Sequence, residues 1–202
     1  MFLEMFNSLL MGLLAFAFTV VLYAPFFEYL LHRYIMHKKL TLWRWEFSYP
    51  FRAHAGVHHH IFKADRTYHL IDDKDKWTIP MAWWNGPALV CIGTVPFAAA
   101  AWLLGIGHWW PIIPGIAIGC GLYYGAYEYL HWCMHLPKQR KLEMLGVFSF
   151  LNGHHVLHHR YMTMNFNVVL PFWDAVFGTL MVRSKLRFAQ PPWPVPNLQP
   201  LV

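Results

Sequence analysis

The chain has 202 residues, of which 57% are hydrophobic, 18% aromatic and only 13% charged, a balance that excludes an ordinary soluble domain and reads as a membrane protein. The net charge of +6 comes without a basic repeat or an aromatic-interleaved groove pattern, so no nucleic-acid partner is expected. Three cysteines, Cys91, Cys120 and Cys133, lack the spacing of a zinc ribbon or a disulfide framework and read as packing residues.

A helix needs about 20 apolar residues to cross a bilayer, and residues 8–31, 83–104 and 110–130 qualify. The first segment has no Lys or Arg before Arg33, so it lacks the basic flank of a cleaved signal peptide and is expected to stay as a span. All 16 basic residues lie between Arg33 and Lys76 or between Lys138 and Arg187. Basic residues stay in the cytoplasm during insertion, so the expected orientation has the N-terminus outside and both large segments inside, with the C-terminus.

After the first span, residues 38–61 are mixed, aromatic and helix-permissive, and residues 65–76 form a polar surface loop. Pro80, Pro87 and Pro96 predict a kinked second span, and "GIGHWWP" a tight outer turn. Helical patterning resumes from Lys141 through "GHHVLHH". "FWDAVFGTL" suits a short amphipathic element at the membrane surface, and the Pro-rich tail 190–202 is expected to be extended. The whole chain, 1–202, is expected to be a single domain, all-α, with a cytoplasmic helical cap.

Twelve of the 14 histidines fall in four clusters: His32 and His37; His54, His58, His59 and His60; His131 and His135; His154, His155, His158 and His159. His69 and His108 stand alone and read as interfacial or core residues. On an α-helix residues four apart share a face, so His54 with His58, His131 with His135, and His155 with His159 can each grip one metal. Adjacent histidines diverge by about 100°, so His58-His59 and His158-His159 can lean toward different ions. Two metals suit the pattern better than one, and imidazole favours iron, zinc, copper or nickel over magnesium or calcium. Glu28 lies four residues before His32 and Glu128 three before His131. Each is expected to hold the outer ring nitrogen of its histidine, since a ligating imidazole wants such an acceptor.

These motifs resemble the fatty acid hydroxylase superfamily of integral-membrane di-metal oxygenases. The family's histidine boxes match "HRYIMH", "HAGVHH", "HWCMH" and "HVLHH", and "LPFWDAVFGTL" is similar to its Trp-Asp-x-x-Phe-Gly-Thr ending. Box by box, the resemblance implies His32, His37, His54, His58, His59, His131, His135, His155, His158 and His159 as ligands. His60 and His154 duplicate positions and, with Asp174, are further candidates for the surrounding layer. "GHHVLHH" looks most like the fatty acid 2-hydroxylase branch, and "HRYIMH" is also similar to carotenoid hydroxylases.

The resemblance implies a monooxygenase that hydroxylates an acyl chain of a fatty acid or lipid, with two iron ions and O2 as co-substrate; zinc can replace iron in purified samples. Electrons are expected from a separate ferredoxin or cytochrome b5-like donor with its reductase. The rival enzymes are a sterol or carotenoid oxidase and a lipid desaturase. A membrane metal transporter or sensor is the rival outside enzymes, but it would place ligands near the midplane, whereas these histidines lie on one side.

Overall fold

The computed structural model describes residues 1–105 and 110–182. The expectations for His108 and for the Pro-rich tail lie outside the described residues. The chain divides into two compact units, Met1–Glu28 with Met81–Tyr129 and Tyr29–Pro80 with Leu130–Val202. Two of the three boundaries fall within the repeated Glu-Tyr-Leu, and the third lies between Pro80 and Met81.

The first helix, α1, is continuous over Phe2–Met36, with π-helical turns at Thr19–Tyr23 and His32–Met36. Its first 17 residues bury nothing and expose Phe6, Leu9, Leu13 and Leu14. That apolar surface suits lipid rather than water. Helix α3 (Asn85–Leu103, continuous across Pro96) and helix α4 (Ile112–His135) as far as Tyr129 complete the first unit. Alpha-1 and α3 are long and apolar enough to cross a bilayer. Helix α4, where the third span is expected, is 24 residues long, but Tyr123, Tyr124, Tyr127 and Glu128 dilute its apolar character.

Small residues let these helices approach closely, as they do inside membranes. A Cβ on Gly115 would lie 2.4 Å from the carbonyl oxygen of Gly12, and one on Gly119 would lie 2.8 Å from the side chain of Thr19. In the same unit, Tyr123 donates its hydroxyl to Glu28 at 2.6 Å, and the backbone N–H of Met81 donates to Glu128 at 3.1 Å.

In the second unit, the stretch expected to be mixed and helix-permissive, 38–61, starts with a hairpin and not a helix. Leu40–Leu42 (β1) pairs antiparallel with Trp45–Phe47 (β2), and Trp43 closes the hairpin with a left-handed φ of 53°. Helix α2 follows over residues 49–61, built of Tyr49–Phe51, a π-helical Arg52–His58 and His59–Ile61. The polar loop ends in a 3-10 turn, Asp73–Thr78, where the Asp72 side chain accepts from the N–H of Lys74. Helix α5 spans Gly146–Arg160 and the five-residue α6 spans Phe172–Val176. Tyr29, Phe62, Tyr68, Met134, Phe166 and Val168 form a core around the histidines.

Candidate metal centre

Ten histidines of the second unit gather into two groups, each offering five ring nitrogens that lie within 4.8 Å of one another. One group is His32, His37, His54, His59 and His158; the other is His58, His131, His135, His155 and His159. They are the ten residues that the four boxes imply as ligands. All are buried except His37, which is half-buried.

The backbone explains the sorting. Helices α4 and α5 are α-helical where they carry these histidines, so His131 with His135 and His155 with His159 join one group at a spacing of four. The expectation that His54 pairs with His58 is corrected, because the backbone there is π-helical. A π-turn bonds residue i to i+5, which brings His59 round to His54 and turns His58 to the other group. The same holds in α1, where the N–H of His37 donates to the carbonyl of His32 at 3.2 Å. Adjacent histidines do diverge, with His58 and His59, and likewise His158 and His159, in opposite groups.

Within each group the Nε2 atoms face each other. His32 and His54 stand 2.9 Å apart, His37 and His158 3.0 Å, and His59 and His54 3.1 Å. In the other group His131 to His58 and His135 to His155 measure 3.2 Å, and His159 to His155 3.0 Å. Two nitrogens bound at right angles to one ion, each at about 2.1 Å, would sit about 3 Å apart. The spacing fits shared ions.

The outer nitrogens fix which atom is offered. Nδ1 of His58 donates to the carbonyl of Thr78 at 3.1 Å, that of His135 to Tyr68 at 2.7 Å and that of His158 to Met164 at 2.8 Å. His32 donates in the same way to Phe166, and His159 to Phe62. A proton held at Nδ1 leaves the Nε2 lone pair pointing inward. Burial first, then neighbouring imidazoles, holds His54, His59, His155 and His159 well below the ordinary histidine range. Burial lowers His58 and His158 to about 4. Neutral imidazole is the form that binds a metal.

These partners revise the expected surrounding layer. Phe166 supplies the acceptor for His32, while the carboxylates of Glu28 and Glu128 accept from the Tyr123 hydroxyl and the N–H of Met81. His60 is exposed, its Nδ1 donating to Ala55, and belongs to neither group. His69 also stands outside both, as does the buried Cys133.

His154 turns away from the groups toward Asp174, with Nε2 3.2 Å from Oδ2. Asp174 is fully buried, and besides His154 it accepts from the N–H groups of Phe166 and Asn167, both at 2.8 Å, and from the Thr179 hydroxyl at 2.7 Å. Those bonds outweigh burial and lower its pKa. The sequence signal for this hub was the Trp-Asp-x-x-Phe-Gly-Thr ending.

No family model and no curated protein sequence matches the chain. The structure is similar to that of full-length Scs7p, in which only the hydroxylase domain is visible, with a TM-score of 0.51 and 24% sequence identity. The fold is that of the Scs7p hydroxylase domain. The likeness to Scs7p covers 88% of this chain, which spans 57% of that one. The Scs7p fold and the two five-histidine groups agree with the resemblance to the fatty acid hydroxylase superfamily that the four boxes carry.

Proposed function

We propose that this protein is a membrane monooxygenase of the fatty acid hydroxylase superfamily, inserting one oxygen atom of O2 into an acyl chain of a fatty acid or lipid. The observation that carries this reading is the pair of groups, each of five imidazoles, nine of the ten buried and His37 half-buried, with no carboxylate in either group among the described residues. Such a donor set fits iron or zinc and not magnesium or calcium. The likeness to a hydroxylase domain supports oxidative use of those ions.

In this reading each group holds one iron ion, and the pair, when bound, supplies the activation of O2 that a saturated carbon requires. The residues do the rest. His32, His58, His135, His158 and His159 keep their protons on the outer nitrogen, so ligation needs no proton loss at pH 7. Phe62, Tyr68 and Phe166 pack against the imidazoles and keep the surroundings dry. Helices α1 and α3 keep the chain in the bilayer, where acyl lipids reside. The two electrons come from a ferredoxin or cytochrome b5-like partner with its reductase.

The test supplies membranes containing the protein with a reduced donor and 18O2, and reads lipids by mass spectrometry. Hydroxylated acyl chains carrying one labelled atom are expected. Label from water, or turnover without O2, overturns the reading. A new double bond without label moves the protein to desaturation on the same site.

A further inference from the structure

A ligating histidine is strengthened when its outer nitrogen meets a carboxylate, yet His32 donates to the carbonyl of Phe166. That carbonyl belongs to the peptide unit joining Phe166 and Asn167, and the N–H of the same unit donates to Asp174 Oδ2 at 2.8 Å. A peptide unit is planar and conjugated, and hydrogen bonds in series polarise one another in a low-dielectric interior. A carboxylate pulling on the N–H makes the C=O a stronger acceptor. We propose that Asp174 is the carboxylate partner of His32, acting across one peptide unit.

The surroundings fix this arrangement. The other oxygen of Asp174 takes the N–H of Phe166 at 2.8 Å and the hydroxyl of Thr179 at 2.7 Å, so the carboxylate cannot rotate away. Asn165 pins the same segment, its side chain donating to the carbonyls of His154 and Met181, both at 3.0 Å. A second peptide repeats the pattern more weakly. The carbonyl of Met164 accepts from His158, while the N–H of that unit, on Asn165, donates to the neutral carbonyl of Thr179 at 3.0 Å. Both served histidines, His32 and His158, belong to one group. In the other group, His58, His135 and His159 lean on the carbonyls of Thr78, Tyr68 and Phe62. Asp174 is therefore a positioning residue for one metal of two, which makes the centre asymmetric.

The inference rests on the metal reading above, and the experiment separates the two. Zinc(II) is titrated into the metal-free full chain in detergent micelles, comparing the natural chain with Asp174→Asn. The natural chain is expected to bind two ions; the variant keeps one at unchanged affinity and binds the other about 10 to 100-fold more weakly. Combined with His59→Ala, the variant should add little, whereas combined with His155→Ala it should weaken the remaining site, because coupling is seen only within a shared network. In histidine-labelled NMR of the metal-free chain, the Nδ1 proton of His32 should move toward a weaker hydrogen bond while that of His159 stays. If Asp174→Asn does not fold, Thr179→Val, which removes one bond to the carboxylate, should produce the same selectivity with a smaller size. Equal weakening of both ions, or no movement of the His32 proton, overturns the inference and leaves the metal reading intact. A natural chain that binds no zinc overturns both.

Discussion

His54 shares its group with His59, five residues on, and His58, four residues on, belongs to the other group. The π-helical backbone of Arg52–His58 produces this sorting. Single variants should therefore sort by group and not by box. His59→Ala and His58→Ala are each expected to hold about one transition-metal ion per chain, and the double variant fewer. The decisive pair is His59→Ala with His37→Ala, which should lose no more than one ion together, because both strike one group. Elemental analysis of purified protein reads this, and loss of both ions would refute the grouping.

Deleting Gly56 should convert the π segment to ordinary α-helix and rotate His54 by about 100° against the residues that follow. Metal content should then fall to one ion or fewer while helical circular dichroism is retained. Full metal content in the deletion variant would show that the wide turn is not what sorts the ligands.

Acid should destabilise the metal-free protein. Burial holds His58 and His158 at about 4 when folded, against about 6.5 in an unfolded chain. Between those values the unfolded chain binds more protons, so stability is fully present above about pH 6.5 and is lost as pH falls toward 4. The loss is about 3 kcal/mol per group at most. Thermal unfolding of the metal-free chain from pH 7 to pH 4 measures it, and a flat profile would contradict the buried, neutral assignment.

Glu28→Gln and Glu128→Gln should keep both ions, since the outer nitrogen of His32 meets Phe166 and the two carboxylates accept from Tyr123 and Met81. His60→Ala and His69→Ala should do the same. Loss of metal in either glutamine variant would restore the carboxylates to the surrounding layer.

Orientation is read by fusion reporters. A reporter at Lys63 is expected to be cytoplasmic and one at His108 external, as the placement of basic residues demands. Both on one side would rule out three spans.

The gathering of the ten histidines was legible in the sequence because imidazole clustering survives any local error in helix geometry. Their sorting was not, since nothing in "RAHAGVHH" announces a turn of five residues in place of four. The hairpin at Leu40–Phe47 escaped for a similar reason: it turns on a left-handed Trp43, where glycine or asparagine would ordinarily mark the bend. The long apolar helices were plain from composition. The acceptors around the two groups were invisible, as every residue has a carbonyl and only the fold decides which of them meet an imidazole.

That last property bears on how the protein can vary over time. Thr78, Tyr68, Phe62, Met164 and Phe166 present main-chain oxygens to histidines of the two groups, and a main-chain oxygen is carried through almost any replacement of the side chain. Drift at these five positions leaves the acceptors in place so long as the trace holds. Asp174 has no such insurance, because its contribution is a side chain. Relatives that keep the ten histidines are thus expected to differ freely at the carbonyl positions and to be held fast at this one aspartate.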